Sequence, residues 1–248
     1  MIPTNLIGTK VSRSFDTHPE NGKLNIKITW KYCLAFYCMT MLYVSLHELV
    51  HHFAGAAICG DWGFKTFNYF ETACSEDSRI KYLATFAGPV FTYAVMWVGA
   101  WMLRKPQASQ YTKQLGFALI FAQLPLQRMT SPIFRMNDEF YASVQLWGDN
   151  SLVYWGVLVI IWLICLPPLW IAYRNIENRY KILWFLFYLV LFPYLIWGPV
   201  FGVLEFLLIS RGVLDGTIIG IANLFILNEI VTIIGYIYTK NYFDPALN

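Results

Sequence analysis

Residues 45–55 read SLHELVHHFAG. His47, Glu48, His51 and His52 stand in an apolar run that extends from Cys33 to Cys59. An ionisable cluster at membrane depth is costly, so it reads first as a functional site. The run itself, 30–58, exceeds the ~20 residues a helix needs to cross a bilayer. One stretch thus points both to a fold class, an all-α membrane protein, and to the place where chemistry is expected.

Composition agrees. Of 248 residues, 57% are hydrophobic, 18% aromatic and only 13% charged, whereas a soluble domain carries about 25% charged residues. The net charge of +3 is spread along the loops, and no basic tract interleaved with aromatics points to nucleic acid. Residues 1–29 are a polar segment with no apolar signal-peptide region, so the first hydrophobic run is expected to stay in the mature protein. The five cysteines form no CxxC, which argues against a thiolate metal site or a redox dithiol. Cys59 and Cys74 bracket a polar loop and could pair in an oxidising compartment. The preferred reading of all five is buried small hydrophobes.

About six apolar runs follow one another, at 30–58, 80–103, 114–127, 151–173, 182–209 and 217–238. The polar stretch at 60–79 has the aromatic, Gly and Thr content of short strands or a hairpin. Pro193 and Pro199 should kink or break the fifth run. With all six crossing and the N-terminus inside, the inner side holds Lys10, Arg13, Lys23, Lys27, Lys31, Arg104, Lys105, Lys113, Arg174, Arg179, Lys181 and Lys240. The outer side keeps Lys65, Arg79, Lys81, Arg128, Arg135 and Arg211. This asymmetry predicts a cytoplasmic N-terminus.

His47 and His51 are four apart, so a helix stacks them on one face, as two imidazoles on one metal ion require. Glu48 lies beside the first, placed to act on a metal-bound water rather than on the metal. This is the logic of HExxH: two zinc ligands and a general base. His52 turns the motif into an HxxxHH box, but the di-iron enzymes that use such boxes need about eight histidines and this chain has four. His52 points about 100° away from His51 and reads as a packing residue.

Catalytic zinc usually takes three protein ligands. No spare histidine lies in the apolar part, so the third is expected among Asp138, Glu139, Asp149, Glu205 and Glu229. Asp138 stands out: Pro125 and Pro132 interrupt the helix, and Asn137-Asp138-Glu139 then precedes an apolar stretch. Irregular backbone at that depth is tolerated where it lines a cavity. Glu205 could face a cavity, pair with Arg211 or make an interhelical hydrogen bond, and Asn228 beside Glu229 suggests a polar helix contact.

On these residues the chain resembles the site-2 protease family of intramembrane zinc metalloproteases. The likeness covers about 30–150: HELVH at 47–51 followed by FAGAAICG, Ala87-Gly88-Pro89 in a second helix, and a Pro-containing segment leading to an Asp. It departs where that family shows an Asn and an Asp-Gly, for here stand Gln123-Leu-Pro125 and Asp138-Glu139. A divergent bacterial branch, and so an inner-membrane location, is the nearer likeness. The resemblance implies a three-helix metalloprotease core at 30–150 with additional transmembrane helices at 151–248. It further implies zinc held by His47, His51 and Asp138, with Glu139 as the alternative to Asp138, and Glu48 as general base. Gln123 and Gln127 would bind the substrate backbone in place of the missing Asn. The expected activity is hydrolysis of a peptide bond in a membrane-embedded or membrane-adjacent protein or peptide, with the lipid bilayer as surroundings and no nucleic acid. A non-enzymatic scaffold or transport-related protein with a structural metal is the alternative, and a metal-dependent hydrolase of a lipid or small amphiphile is a second.

Overall fold

A computed structural model describes residues 23–247. Lys10, Arg13 and His18 lie outside the described residues. The first helix, α1, spans Trp30–Cys59, about 45 Å at 1.5 Å per residue. Thr29 starts it by accepting a hydrogen bond from the Tyr32 amide at 3.1 Å, and Gly60 ends it in the left-handed region, φ 79°, which glycine adopts without steric cost. Two short strands follow, β1 (Phe64–Lys65) and β2 (Phe70–Glu71), then α2 (Lys81–Arg104) and α3 (Gln110–Ala122). After them come α4 (Pro125–Thr130), a 3-10 turn (Ser131–Phe134), α5 (Asp138–Trp147) and α6 (Ser151–Asn175). The chain continues through α7 (Lys181–Leu186), a π-helical turn (Phe187–Leu191), α8 (Phe192–Ile209), β3 (Thr217–Ile218), β4 (Ile221–Ala222) and α9 (Asn223–Thr239).

Among the described residues, four stretches, α1, α2, α6 and the continuous α7–α8 rod, are long and apolar enough to cross a membrane. The six runs expected from hydropathy are thus corrected in two places. Run 114–127 is cut short because Leu124, before Pro125, sits in the left-handed region at φ 53°, a position where proline disfavours continuation of the helix. The resulting α3 has 13 residues, about 20 Å. Run 217–238 begins with the strand pair β3–β4, which leaves α9 with 17 residues, about 26 Å against the ~30 Å hydrocarbon thickness. The fifth run stays one rod, with a π turn just before Pro193 that the Phe192 amide closes by donating to the Phe187 carbonyl.

Small residues set the helix contacts. A Cβ on Gly116 would stand 2.8 Å from the Gly99 carbonyl oxygen, so α2 and α3 touch backbone to backbone. Gly235 of α9 makes room for the Cys38 side chain of α1, whose Sγ a Cβ there would meet at 2.9 Å. Around these contacts, Tyr32, Phe36, Phe117, Phe121, Tyr188 and Phe192 form one aromatic core, with Phe36 stacked on Phe192 at 4.7 Å.

The connections gather at two ends. At one, the Leu24 amide donates to the Asn175 carbonyl at 2.8 Å, Gln110 Nε2 donates to the Lys23 carbonyl at 3.0 Å, and Lys31 Nζ reaches the Leu247 carbonyl at 3.2 Å. At the other, the expected hairpin at 60–79 joins β3–β4 in a four-stranded sheet of order β2-β1-β4-β3, with Lys65 opposite Ile221 in parallel register. Cys59 and Cys74 form a disulfide there, Cα–Cα 4.8 Å. This corrects the reading of all cysteines as buried hydrophobes: the hairpin folds back and returns Cys74 to the end of α1. Cys33, Cys38 and Cys165 are free.

Candidate metal centre

The helical spacing of four places His47 and His51 on one face of α1, with 4% and 0% of their surface exposed. That face meets α2 at Gly88, where a Cβ would collide with His51 Nε2 and lie 2.7 Å from His47 Cε1 and His51 Cδ2. The glycine of Ala87-Gly88-Pro89 is therefore required by the imidazoles, which fill the space a side chain would take. The helix then supplies each ring with an orienting partner. His51 Nδ1 donates to the Ala84 carbonyl at 2.9 Å, and His47 Nδ1 lies 2.8 Å from Thr92 Oγ1. A ring whose Nδ1 carries the proton keeps a lone pair on Nε2, so the Ala84 carbonyl prepares His51 as a ligand, while the Thr92 hydroxyl orients the His47 ring.

The third donor arrives from the broken segment. Leu124, Arg135 and Asn137 all have positive φ, at 53°, 58° and 96°, and turn the chain back toward α1. Asn137 caps α5 by accepting from the Phe140 amide at 3.0 Å, which puts Asp138 in the first helical position. Asp138 Oδ2 lies 3.1 Å from His47 Nε2 and 3.5 Å from His51 Nε2, and the two Nε2 atoms are 3.0 Å apart. Metal bonds of 2.0–2.1 Å in a tetrahedron require ligand–ligand edges of about 3.3 Å. The three edges bracket that value, so this buried His-His-Asp group fits a divalent cation. Phe70 of β2 stacks on His51 at 4.6 Å and covers it.

Glu48, one residue along α1, stays outside the ligand triangle. Its carboxylate lies 3.8 Å from Lys65 Nζ. Lys65 is fully buried, donates to the Thr66 carbonyl at 2.9 Å and rests 4.3 Å from the Phe225 ring centre. Burial lowers the Lys65 ammonium from its ordinary 10.5 to about 8, against the pull of the nearby Glu48 carboxylate. Two cavities meet at Glu48 and Asp138. The first, about 320 Å³, is also lined by His47, Gln123, Gln127 and Arg128. The second, about 380 Å³, runs along Asn68, Phe70, Glu71 and Tyr82. Gln123 and Gln127 thus stand on a cavity wall beside the site, and Gln123 Nε2 is buried without a hydrogen bond.

Glu139, the alternative ligand, faces away from the histidines. The Tyr93 hydroxyl donates to its Oε1, and Arg128 Nη1 lies 3.8 Å from its Oε2. Glu205 accepts from Thr66 Oγ1 and the Phe67 amide, both at 3.1 Å, and so ties α8 to the hairpin rather than to Arg211. His52 is a packing residue: Nε2 bonds to the Ile219 carbonyl oxygen at 2.9 Å and the ring stacks on Trp62. Glu229 accepts from Asn228 at 3.1 Å.

Sequence reasoning missed Arg128, which it placed among outer loop charges. Its Nη2 lies 2.9 Å from His47 Nε2 and its Nη1 3.1 Å from Asp138 Oδ2. The prolines on either side, which singled out Asp138, flag Arg128 equally well. Thr92, Tyr93 and Lys65 carried no signal, because each acts through contacts distant in sequence. No protein-family model matches the chain, and neither a curated protein nor a solved structure is significantly similar to it.

Proposed function

We propose that this chain is an intramembrane zinc metalloprotease that hydrolyses a peptide bond in a membrane-embedded or membrane-adjacent substrate. The observation that carries the reading is the His47-His51-Asp138 triangle with Glu48 beside it, in a chain with four helices long enough to cross a membrane. Two imidazoles and one carboxylate are the donor set of a catalytic zinc site, which leaves a position for water. When bound, zinc supplies a Lewis acid that makes water acidic near neutral pH. Glu48 takes the proton of the attacking water and passes it to the leaving nitrogen. An acid with that role must touch both water and substrate, and Glu48 lines both cavities. Gln123 and Gln127 hold the substrate backbone, which has unwound locally because a helix hides its carbonyls.

The end of the molecule that carries 23–31, 104–113, 174–181 and Lys240 is cytoplasmic in this reading, because it holds most of the basic residues. The opposite end carries the Cys59–Cys74 disulfide, which persists in an oxidising compartment. Charge and cysteine chemistry support the same orientation. His51 stands two turns before Cys59 on α1, so the site opens toward the oxidising side.

The test is zinc per chain by elemental analysis of detergent-purified protein, wild type against Asp138→Ala. The expected values are about one zinc in the wild type and a large loss in the variant. A wild type without zinc after metal is supplied removes the reading. Membrane-protein fragments that form in cells carrying the wild type, and are missing with Glu48→Gln, separate an enzyme from a structural metal site.

A further inference from the structure

We propose that Arg128 is the second electrophile of this site: its guanidinium donates to the scissile carbonyl oxygen as that oxygen gains charge. The inference rests on the protease reading and adds a residue to it. An arginine amid apolar helices is costly unless paired or in use. Arg128 is paired, and its pairing reaches into the ligand triangle. Nη1 faces Asp138 Oδ2 at 3.1 Å and Glu139 Oε2 at 3.8 Å, while Nη2 stands at the His47 ring, 2.9 Å from Nε2 and 3.2 Å from Nδ1. A counter-ion for Glu139 alone would have no reason to touch two members of the ligand triangle. The side chain is 16% exposed, and what it exposes forms part of the wall of the cavity it shares with Glu48, Gln123 and Gln127.

The tether explains how a long flexible cation is held there. Glu139 is 5% exposed, its Oε1 accepts from the Tyr93 hydroxyl, and its Oε2 is buried without a hydrogen bond. That oxygen is the ion-pair partner of Nη1, which also donates to Asp138 Oδ2, so two carboxylates hold the guanidinium at the triangle. The backbone sets the root of the side chain: α4, which carries Arg128, lies between Leu124 and Arg135, both left-handed. Lys65, also buried near the site, is committed to the Thr66 carbonyl and Glu48.

The chemistry needs such a group. As the water oxygen bonds to the carbonyl carbon, the π electrons move onto the carbonyl oxygen and Glu48 accepts the water proton. The carbonyl then reforms, the C–N bond breaks, and Glu48 gives the proton to the departing nitrogen. The negative oxygen between those events gains from a preorganised charged donor more than the neutral carbonyl does, which is the condition for catalysis.

The experiment uses zinc-supplied full-length protein in detergent and two dipeptide probes. N-phosphoryl-leucyl-alanine presents a tetrahedral group with anionic oxygens, and mercaptoacetyl-leucyl-alanine binds a metal through sulfur with no such oxygens. Arg128→Met should weaken the phosphoryl probe by roughly tenfold or more relative to the thiol probe. Arg128→Lys, which keeps the charge with a shorter reach, should fall between. The ratio of the two affinities is read within each protein, so partial zinc loss in a variant does not disturb it. Equal weakening of both probes, or of neither, overturns the proposal and leaves the protease reading standing. A wild type that binds neither zinc nor either probe overturns the protease reading itself.

Discussion

Gly88→Ala separates the metal-site geometry from every bland account of the AGP segment. Gly88 lies inside α2 with ordinary helical backbone, so on conformational grounds alanine should stabilise the helix by about 0.5–1 kcal/mol. The imidazoles reverse that sign. A new Cβ stands 2.7 Å from His47 Cε1 and His51 Cδ2 and closer still to His51 Nε2, and ordinary contact begins at 3.4 Å, so the rings must move by at least about 0.7 Å. Metal–ligand distances in a well-formed site stay within ~0.2 Å of their usual values, so a shift of that size spoils the geometry. The variant should therefore lose zinc affinity by at least about tenfold, and overpacking of this buried contact should cost about 1–3 kcal/mol. Competition with a chromogenic chelator reads the first, and the thermal midpoint of detergent-solubilised protein reads the second. Gly156→Ala is the control, because a Cβ there meets nothing within 4 Å; it should be neutral or slightly stabilising. If Gly88→Ala binds zinc as the wild type does and melts higher, the close approach of α2 to the histidines is wrong and the triangle goes with it.

Three further outcomes follow from the same geometry. Glu48→Gln should keep its zinc and lose hydrolysis by about 10²–10⁴-fold; equal loss of zinc would make Glu48 a ligand instead. Thiol titration of the denatured protein should find Cys33, Cys38 and Cys165 without reductant and all five cysteines with it, and Cys59→Ser with Cys74→Ser should cost about 3 kcal/mol for the 15-residue separation. Lys65 has a folded value of about 8 against 10.5, so the unfolded chain binds more protons across that window and stability should rise with pH from 8 to 10.5. Thermal midpoints compared with Lys65→Met, which should lack the rise, check the sign.

What the sequence makes legible is local. His47 and His51 share a face because the helix period puts them there, and that relation needs nothing beyond α1. Asp138 is legible for the opposite reason: the prolines and the Asn-Asp step mark where a helix cannot continue, and a broken segment in apolar surroundings must serve something. The errors arise where partners are distant. Run 217–238 reads as one helix because its residues are apolar. Its first six residues instead form the β3–β4 hairpin, which joins a sheet through Lys65, some 150 residues earlier, opposite Ile221. Cys59 and Cys74 pair because the hairpin folds, and nothing in their spacing says that it does. Arg128 reads from the sequence as a solvated loop charge because its partners, His47 and Glu139, become its neighbours only in the fold.

The ionisable residues are thus readable as a set before their contacts are, and what decides the contacts is residues with little or no side chain. Gly88 lets α2 reach the imidazoles, Gly99 and Gly116 lock α3 against α2, and α3 in turn carries the break that delivers Arg128 and Asp138. A substitution at Gly116 should therefore act on the metal centre without touching it, by shifting the root of the broken segment. That dependence makes the approach of these helices, more than the HExxH motif, the property that separates a working site from a chance match.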